Sequence, residues 1–294
     1  MINIKRDFIL TSLNMNNKNN KYNTPIATAT VIDSITFYLK LLVILNLLLP
    51  MILISTILGK LFPVIRNWFP VIFHRLLIWL LSIKIEYEGN FKNSTSCNLF
   101  VSNHISYLDI PILGSMVPLR FVAKSEVKHW LILGFLSKLA STIFIKRVRS
   151  DSLLQKNKIF NLLSEGKKLL IFPEGTTSDG NRVLPFKSSL FSALENKNFI
   201  IQPLIIIYSD LNGMPINRWL RPIIAWYGDM ELMPHLSILK NIKSINVKII
   251  YLKPVNTMNS LLLYILFILQ IFFLIQLMSM LYLFALPKNY LTLF

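Results

Sequence analysis

Apolar residues follow two rhythms along this chain. From Leu41 to Gly59 they run without a charge between Lys40 and Lys60. That length predicts a helix on the scale of a membrane span, with Asn46 and Pro50 marking a kink or a shallow insertion. Leu61–Ile83 is also apolar, but Arg66, His74 and Arg75 punctuate it as in a helix lying along an interface. Residues 35–84 therefore read as a helical membrane anchor; the alternative is a buried helical hairpin of a soluble core. The flanking cations are too evenly divided to set an orientation. Before the anchor, residues 1–34 lack an apolar period and are asparagine-rich from Asn14 to Asn23, which predicts a disordered polar tail. Phe8–Leu10 is too short an apolar stretch for a secretory signal.

Residues 85–256 change character. Short apolar runs alternate with helical periods, the pattern of an α/β domain. Strands are predicted at Ile83–Tyr87, Asn98–Ser102, Arg120–Ala123, Thr142–Lys146, Lys168–Phe172, Ile200–Ile207, Ile223–Gly228 and Asn246–Leu252. Helices are predicted at Ser106–Met116, Trp130–Ala140, Ser150–Ser164 and Lys187–Asn196, with Gly166 as a C-cap. The expected fold is a mixed, mostly parallel sheet flanked by helices. Residues 257–294 close the chain: Ser260–Leu286 carries no charge and as a helix would run roughly 40 Å, against a hydrocarbon core of about 30 Å. This C-terminal segment reads as a hydrophobic transmembrane helix, or alternatively as a hairpin lying on the domain.

Composition narrows the function classes. Apolar residues make up 53% and charged residues 15%, where a soluble domain carries about 25% charge. Lys plus Arg total 31 and Asp plus Glu 14, a net charge of +17. A chain both greasy and basic suits an anionic membrane surface better than a nucleic acid. The single cysteine, Cys97, permits no internal disulfide. Neither G-x-G-x-x-G nor the phosphate-binding G-x-x-x-x-G-K-[ST] occurs, no group has metal-ligand spacing, and the sequence implies no cofactor.

Three segments carry chemistry-bearing residues. In Val101–Asp109, VSNHISYLD, a strand ends before a turn and a helix. On one continuous helix a five-residue separation turns the second side chain by roughly 140°. His104 and Asp109 meet only if His104 precedes the helix and Asp109 lies in its first turn. A carboxylate on one imidazole nitrogen then fixes the tautomer and leaves the other to take a proton from a hydroxyl. Ser106-x-x-Asp109 is also a capping box, and that reading needs no chemistry. In Ile171–Ser178, IFPEGTTS, a buried strand delivers Glu174, Gly175 and Thr176 to the edge where open α/β sheets bind ligands. The alternative is a turn rich in glycine and hydroxyls. In Ile143–Arg149, IFIKRVR, Lys146 and Arg147 follow a strand, and a guanidinium suits a phosphate. Lys124 and Lys187 add charge to that pocket, or are solvated surface lysines. His74, His129 and His235 read as packing, capping and loop residues.

In order, N-H-x-x-x-x-D at Asn103–Asp109, F-I-K-R at Phe144–Arg147, F-P-E-G-T at Phe172–Thr176 and Q-P-L at Gln202–Leu204 resemble the glycerolipid acyltransferases. The type members of that family are the 1-acyl-sn-glycerol-3-phosphate acyltransferases. The resemblance implies His104 as general base, with Asp109 orienting it. It implies that a lysolipid hydroxyl attacks the thioester of acyl-CoA or acyl carrier protein without a covalent acyl-enzyme. Arg147, with Lys124, would hold the acceptor's phosphate, Lys146 and Lys187 complete the substrate-binding candidates, and Glu174, Gly175 and Thr176 would line the acceptor site. The expected product is phosphatidate, made at the cytoplasmic face of the inner membrane. One departure matters: the family often has arginine after E-G-T, where this chain has Thr177. FPEGTTSDGNRVLPFKSSLF and WYGDMELMPH also resemble the branch that includes lyso-ornithine lipid acyltransferases, an alternative acceptor. The remaining alternatives are a non-catalytic lipid-binding protein and a basic nucleic-acid-binding protein.

Overall fold

The computed structural model describes residues 31–90, 97–145, 152–187, 198–218 and 220–257. Lys146, Arg147, the helix predicted at Lys187–Asn196 (beyond Lys187 itself) and the C-terminal helix from residue 258 on lie outside the described residues.

Helix α1 (Val31–Leu61) begins four residues inside the predicted tail, with Asp33 favourably placed in its first turn. Pro50 sits within it and the helix continues on both sides. It is the one described helix long and apolar enough to cross a membrane, over Ile32–Leu61. Its Ile35, Leu39, Leu42, Leu49 and Ile57 are exposed, a surface that water does not accommodate and a lipid phase does. Helix α2 (Pro63–Leu80) folds back along α1. Gly59 permits the turn: a Cβ there would stand 2.9 Å from that of Arg66. Lys40 ties the open end by donating to the Trp79 carbonyl and the Ser82 hydroxyl, each at 3.0 Å.

Nine strands form one sheet among the described residues. They are β1 (Ile83–Glu88), β2 (Leu99–Ser102), β3 (Arg120–Lys124), β4 (Ile143–Ile145), β5 (Leu169–Ile171), β6 (Ile200–Leu211), β7 (Met214–Pro215), β8 (Ile245–Tyr251) and β9 (Val255–Asn256). The order β1-β8-β6-β2-β5-β3-β4 is parallel except where β8 pairs with β6; β7 and β9 pair antiparallel with β6. Central β2 and β5 are buried on both faces, which is why they read as continuous apolar runs. The helices are α3 (Asp109–Gly114), α4 (Leu131–Leu139), α5 (Ser152–Ser164), α6 (Arg221–Ile224) and α7 (Leu232–Leu239). Helix α5 ends as predicted: Gly166 adopts φ 72, and the Gly166 and Lys167 amides bond back to Leu163 and Leu162.

Three sequence expectations need correction. Ile223–Gly228 is not a strand. Pro222 starts the short helix α6, and Trp226 bonds through its amide to the Ile105 carbonyl at 3.0 Å, so the run covers a loop instead of joining the sheet. Strand β6 passes the predicted end at Ile207 and reaches Leu211, with an irregularity between Tyr208 and Asp210. Helix α3 is shorter than Ser106–Met116, because the amides of Ile105 and Ser106 bond to the Asp109 side chain instead of continuing a helix.

The α1–α2 hairpin docks on α3 through α2. A Cβ at Gly114 would meet the His74 ring, and Arg75 Nε donates to the Ser115 carbonyl at 3.0 Å, capping the end of that helix. His74 is buried there against Phe121, and burial lowers its pKa to about 4, so it is a neutral packing residue.

Candidate active site

The site sits at the carboxyl ends of β2 and β5, which place His104 and Glu174 side by side. Asn103 fixes the end of β2. Its amide group donates to the Ile206 carbonyl at 3.1 Å and accepts from the Ile206 amide at 2.9 Å, so the side chain mimics one more ladder residue against β6. The chain then turns, and the imidazole leaves the strand end where its Nδ1 meets Asp109 Oδ2 at 2.8 Å.

Four donors converge on the Asp109 carboxylate. Oδ2 takes the His104 Nδ1 proton and the amides of Ile105 at 2.7 Å and Ser106 at 3.0 Å; Oδ1 takes the Tyr208 hydroxyl at 2.6 Å. Asp109 is therefore an acceptor throughout, and the tautomer that completes the set carries its proton on Nδ1. The capping role and the orienting role coexist in one side chain. Asp109 is fully buried while the His104 side chain retains 15% exposure, so the ring is reached from outside and its partner is not. Phe172 stacks on the imidazole with centroids 3.8 Å apart and planes 9° from parallel, leaving the ring no freedom to tilt.

Glu174 holds the loop from the other side. Oε1 accepts the His104 amide at 2.8 Å and Oε2 the Leu184 amide at 2.8 Å, and the Ser178 amide bonds the His104 carbonyl at 2.9 Å. Burial raises the Glu174 pKa to about 7; the two amides oppose that rise, and the nearby Asp109 charge adds to it. The carboxylate thus clamps the backbone of His104 instead of lining an open acceptor pocket. Gly175 has φ 66, the left-handed backbone that lets the loop turn away. A Cβ there would lie 3.0 Å from Lys187 Nζ, so the Lys187 side chain packs over the glycine of the E-G-T loop. Thr176 is exposed on the same loop. Lys124 stands at the end of β3, in register with Ile145, and no described hydrogen bond or ion pair links it to His104, Asp109 or Glu174.

Two supporting groups escaped the sequence reading. Tyr208 was not recognised, although its place in the alternation Leu204, Ile206, Tyr208 on one face of β6 was a usable signal. His235, expected as a loop residue, lies in α7 and meets the Tyr107 hydroxyl through Nδ1 at 2.9 Å, bracing the turn that follows His104.

An exposed imidazole nitrogen with its partner nitrogen fixed on a buried carboxylate can accept a proton from a hydroxyl and return it to a leaving group. Such a site on a mixed α/β sheet beside an apolar helical hairpin defines the class that the comparisons specify. The family model for acyltransferases matches residues 83–207. The chain is similar to the lyso-ornithine lipid O-acyltransferase of Brucella abortus, 38% identical over 194 residues that cover 63% of this chain and 72% of that protein. It is similar to the protein of the same name from Rhizobium meliloti, 40% identical over 179 residues, 58% of this chain and 61% of the relative. The 1-acyl-sn-glycerol-3-phosphate acyltransferase of Neisseria gonorrhoeae is 32% identical over 152 residues, 51% of this chain and 57% of the relative. The crystal structure of the 1-acyl-sn-glycerophosphate acyltransferase PlsC from Thermotoga maritima shares the fold, with a TM-score of 0.53 at 19% identity, covering 77% of this chain and 85% of that one. The chain belongs to the acyltransferase family, as an enzyme of the lysolipid type.

Proposed function

We propose that this protein transfers a fatty acyl group from acyl-CoA or acyl carrier protein to the free hydroxyl of a lyso-ornithine lipid at a membrane surface. The observation that carries the reaction is the His104–Asp109 pair at 2.8 Å, made through Nδ1 on a side chain that stays partly exposed. His104 Nε2 takes the hydroxyl proton as the oxygen attacks the thioester carbonyl. The tetrahedral centre then expels the thiolate, which receives that proton from the imidazolium. The acyl–sulfur bond breaks, the acyl–oxygen bond forms, and no acyl-enzyme intervenes. Asp109 holds the ring and stabilises its charged form, while Glu174 fixes the backbone that carries it.

The names of the relatives from Brucella and Rhizobium support this acceptor, as does Thr177 where a phosphate-binding arginine often stands. The second reading is lysophosphatidate as acceptor and phosphatidate as product. The Neisseria relative favours it, together with Arg147 and Lys124 in the phosphate-holding role that the motif order implies. In either case the anchor hairpin holds the site within reach of lipid. The proposed thioester donors support a site on the cytoplasmic face of the inner membrane.

An acceptor panel tests the proposal. Full-length protein in vesicles is given each donor with lyso-ornithine lipid or lysophosphatidate, and products are read by lipid mass spectrometry. Acylation of lyso-ornithine lipid that disappears in His104→Ala, with membrane association intact, is the expected result. Turnover that survives His104→Ala rejects the proposed base.

A further inference from the structure

Strand β3 leads into a surface that the fold leaves uncovered. It runs parallel to β5, and β5 runs parallel to β2, so its carboxyl end lies at the edge of the sheet where His104 and Glu174 stand. From Lys124 the chain enters a 3₁₀ turn (Ser125–His129), then Trp130, then α4. Turn and helix form one piece. The Gly134 amide donates to the Trp130 carbonyl at 2.6 Å, and a Cβ at Gly134 would lie 2.4 Å from the Lys128 carbonyl oxygen, so only glycine lets the two backbones come this close.

Six of the nine residues of α4 are bulky and apolar, and Lys138 is its one charge. Among the described residues, none of its side chains joins a buried apolar cluster. Phe135 is 48% exposed and Trp130 42%. An apolar surface of this kind calls for a cover. Lys124, Lys128, His129 and Lys138 are also exposed along the segment, and Glu126 is its one carboxylate. Aromatic side chains flanked by cations settle at a headgroup boundary, the tryptophan among the headgroups and the lysines toward anionic lipid.

The same side of the sheet carries the apolar hairpin. The chain steps from β2 through α3 to β3, and on through α4 to β4, in one direction across the sheet; it steps back from β4 through α5 to β5. Right-handed crossovers therefore place α3 and α4 on one face and α5 on the other. Ile112 of α3 packs with Phe100 and Leu170, and Ile159 of α5 with Leu99 and Leu169, as that division requires. Helix α2 brings α1 with it and docks on α3, so the hairpin lies on the face of α4.

We propose that Ser125–Leu139 makes a second contact with the bilayer, separate from α1: Trp130 and Phe135 enter an anionic lipid surface, and Lys128 and Lys138 face its headgroups. Two contacts fix the orientation of the domain where one helix would leave it free to swing. This one holds the edge that carries His104 toward the lipid. It does not depend on which lysolipid is acylated.

The test uses full-length protein carrying one fluorophore, on Trp130→Cys, on Phe135→Cys or, as a control on α5, on Asn157→Cys; Cys97 is buried and stays in place. Each is placed in phosphatidylcholine vesicles with and without phosphatidylglycerol, and quenched by acyl-brominated lipid or by aqueous iodide. With the anionic lipid, bromine is expected to quench positions 130 and 135 by about twofold or more above position 157. Neutral vesicles, and a Lys128→Glu/Lys138→Glu background, are expected to reduce that difference. Equal quenching at all three positions, or none of this response to charge, overturns the contact. So does shielding from iodide without quenching by lipid, because a second copy or another part of the chain then covers the surface. Amide hydrogen exchange of the wild type over residues 125–139 needs no variant: it is expected to slow in anionic relative to neutral vesicles, and unchanged exchange overturns the contact. No acyl transfer is measured, so failure here leaves the acceptor reading standing.

Discussion

The Tyr208 hydroxyl donates to Asp109 Oδ1 at 2.6 Å, on the oxygen that His104 does not use. Residues 99 apart in sequence thus share one carboxylate. Burial, then the Asp109 charge and the bond to it, push the Tyr208 pKa far above its ordinary value, so the phenol stays protonated and remains a donor. With both oxygens engaged the carboxylate cannot rotate, and the imidazole tethered to it cannot either. Tyr208→Phe is expected to lower kcat about tenfold with little change in KM, equivalent to about 1.4 kcal/mol of transition-state positioning. Steady-state kinetics check this; a KM effect with kcat intact would remove Tyr208 from the positioning network.

Asp109→Asn separates charge from hydrogen bonding. The asparagine oxygen can occupy the Oδ2 position and keep the His104, Ile105 and Ser106 donors, while its amide N–H donates to Tyr208, whose hydroxyl turns to accept. The turn therefore survives without the negative charge that stabilises the imidazolium. Acyl transfer is expected to fall by roughly 10²- to 10⁴-fold, the range of a lost acid–base contribution, with little loss of melting temperature. A variant that unfolds, or one with wild-type kcat, would contradict this division of roles.

What the sequence disclosed depends on how local the cause was. Strands β2 and β5 were legible because burial on both faces leaves only apolar residues, and the His104–Asp109 pair was legible because a five-residue spacing admits one geometry. Ile223–Gly228 has strand-like residues, but the proline-started helix α6 takes its first two and the Trp226 amide bonds the Ile105 carbonyl. Polar Ser209 and Asp210 hid the continuation of β6, since the Asn246 amide that pairs with Asp210 lies on β8. Tyr208 reaches the site from another segment, so pattern alone reveals at most the face it occupies. Helix α7 was missed because Pro234 falls in its first turn, where proline is tolerated but reads as a break.

Gly114 couples α2 to the helix that begins with Asp109. A Cβ at Gly114 would stand 2.1 Å from His74 Nδ1 and 2.5 Å from Cε1, well inside contact. Gly114→Ala forces α2 away from α3 and is expected to cost about 1–3 kcal/mol, the usual penalty for overpacking, with reduced transfer as Asp109 shifts. His74→Ala in the same chain makes room and is expected to restore part of both. Denaturation midpoints and transfer rates of the two variants decide it; a neutral Gly114→Ala, or a double variant no better than the single, would show that this contact does not position the site.

Glu174 predicts a pH dependence of opposite sign to that of an ordinary paired carboxylate. Its folded pKa is raised from 4.5 to about 7, chiefly by burial, so the folded protein binds the proton more tightly than the unfolded chain does. Folding therefore takes up a proton between about pH 4.5 and 7. The stability Glu174 contributes is greatest below that window and falls as pH rises through it, by on the order of 3 kcal/mol at 1.36 kcal/mol per pKa unit. Above about pH 7 the contribution is flat. Glu174→Gln cannot titrate, and its amide N–H₂ must face either the His104 or the Leu184 amide, donor against donor, so transfer is expected to drop at every pH. Other titrating groups are common to both proteins and cancel in the difference. Denaturant unfolding at pH 5, 6, 7 and 8 is expected to show the wild type losing stability relative to Glu174→Gln as pH rises. Parallel curves would mean that the two backbone amides, and not burial, set the protonation of this carboxylate.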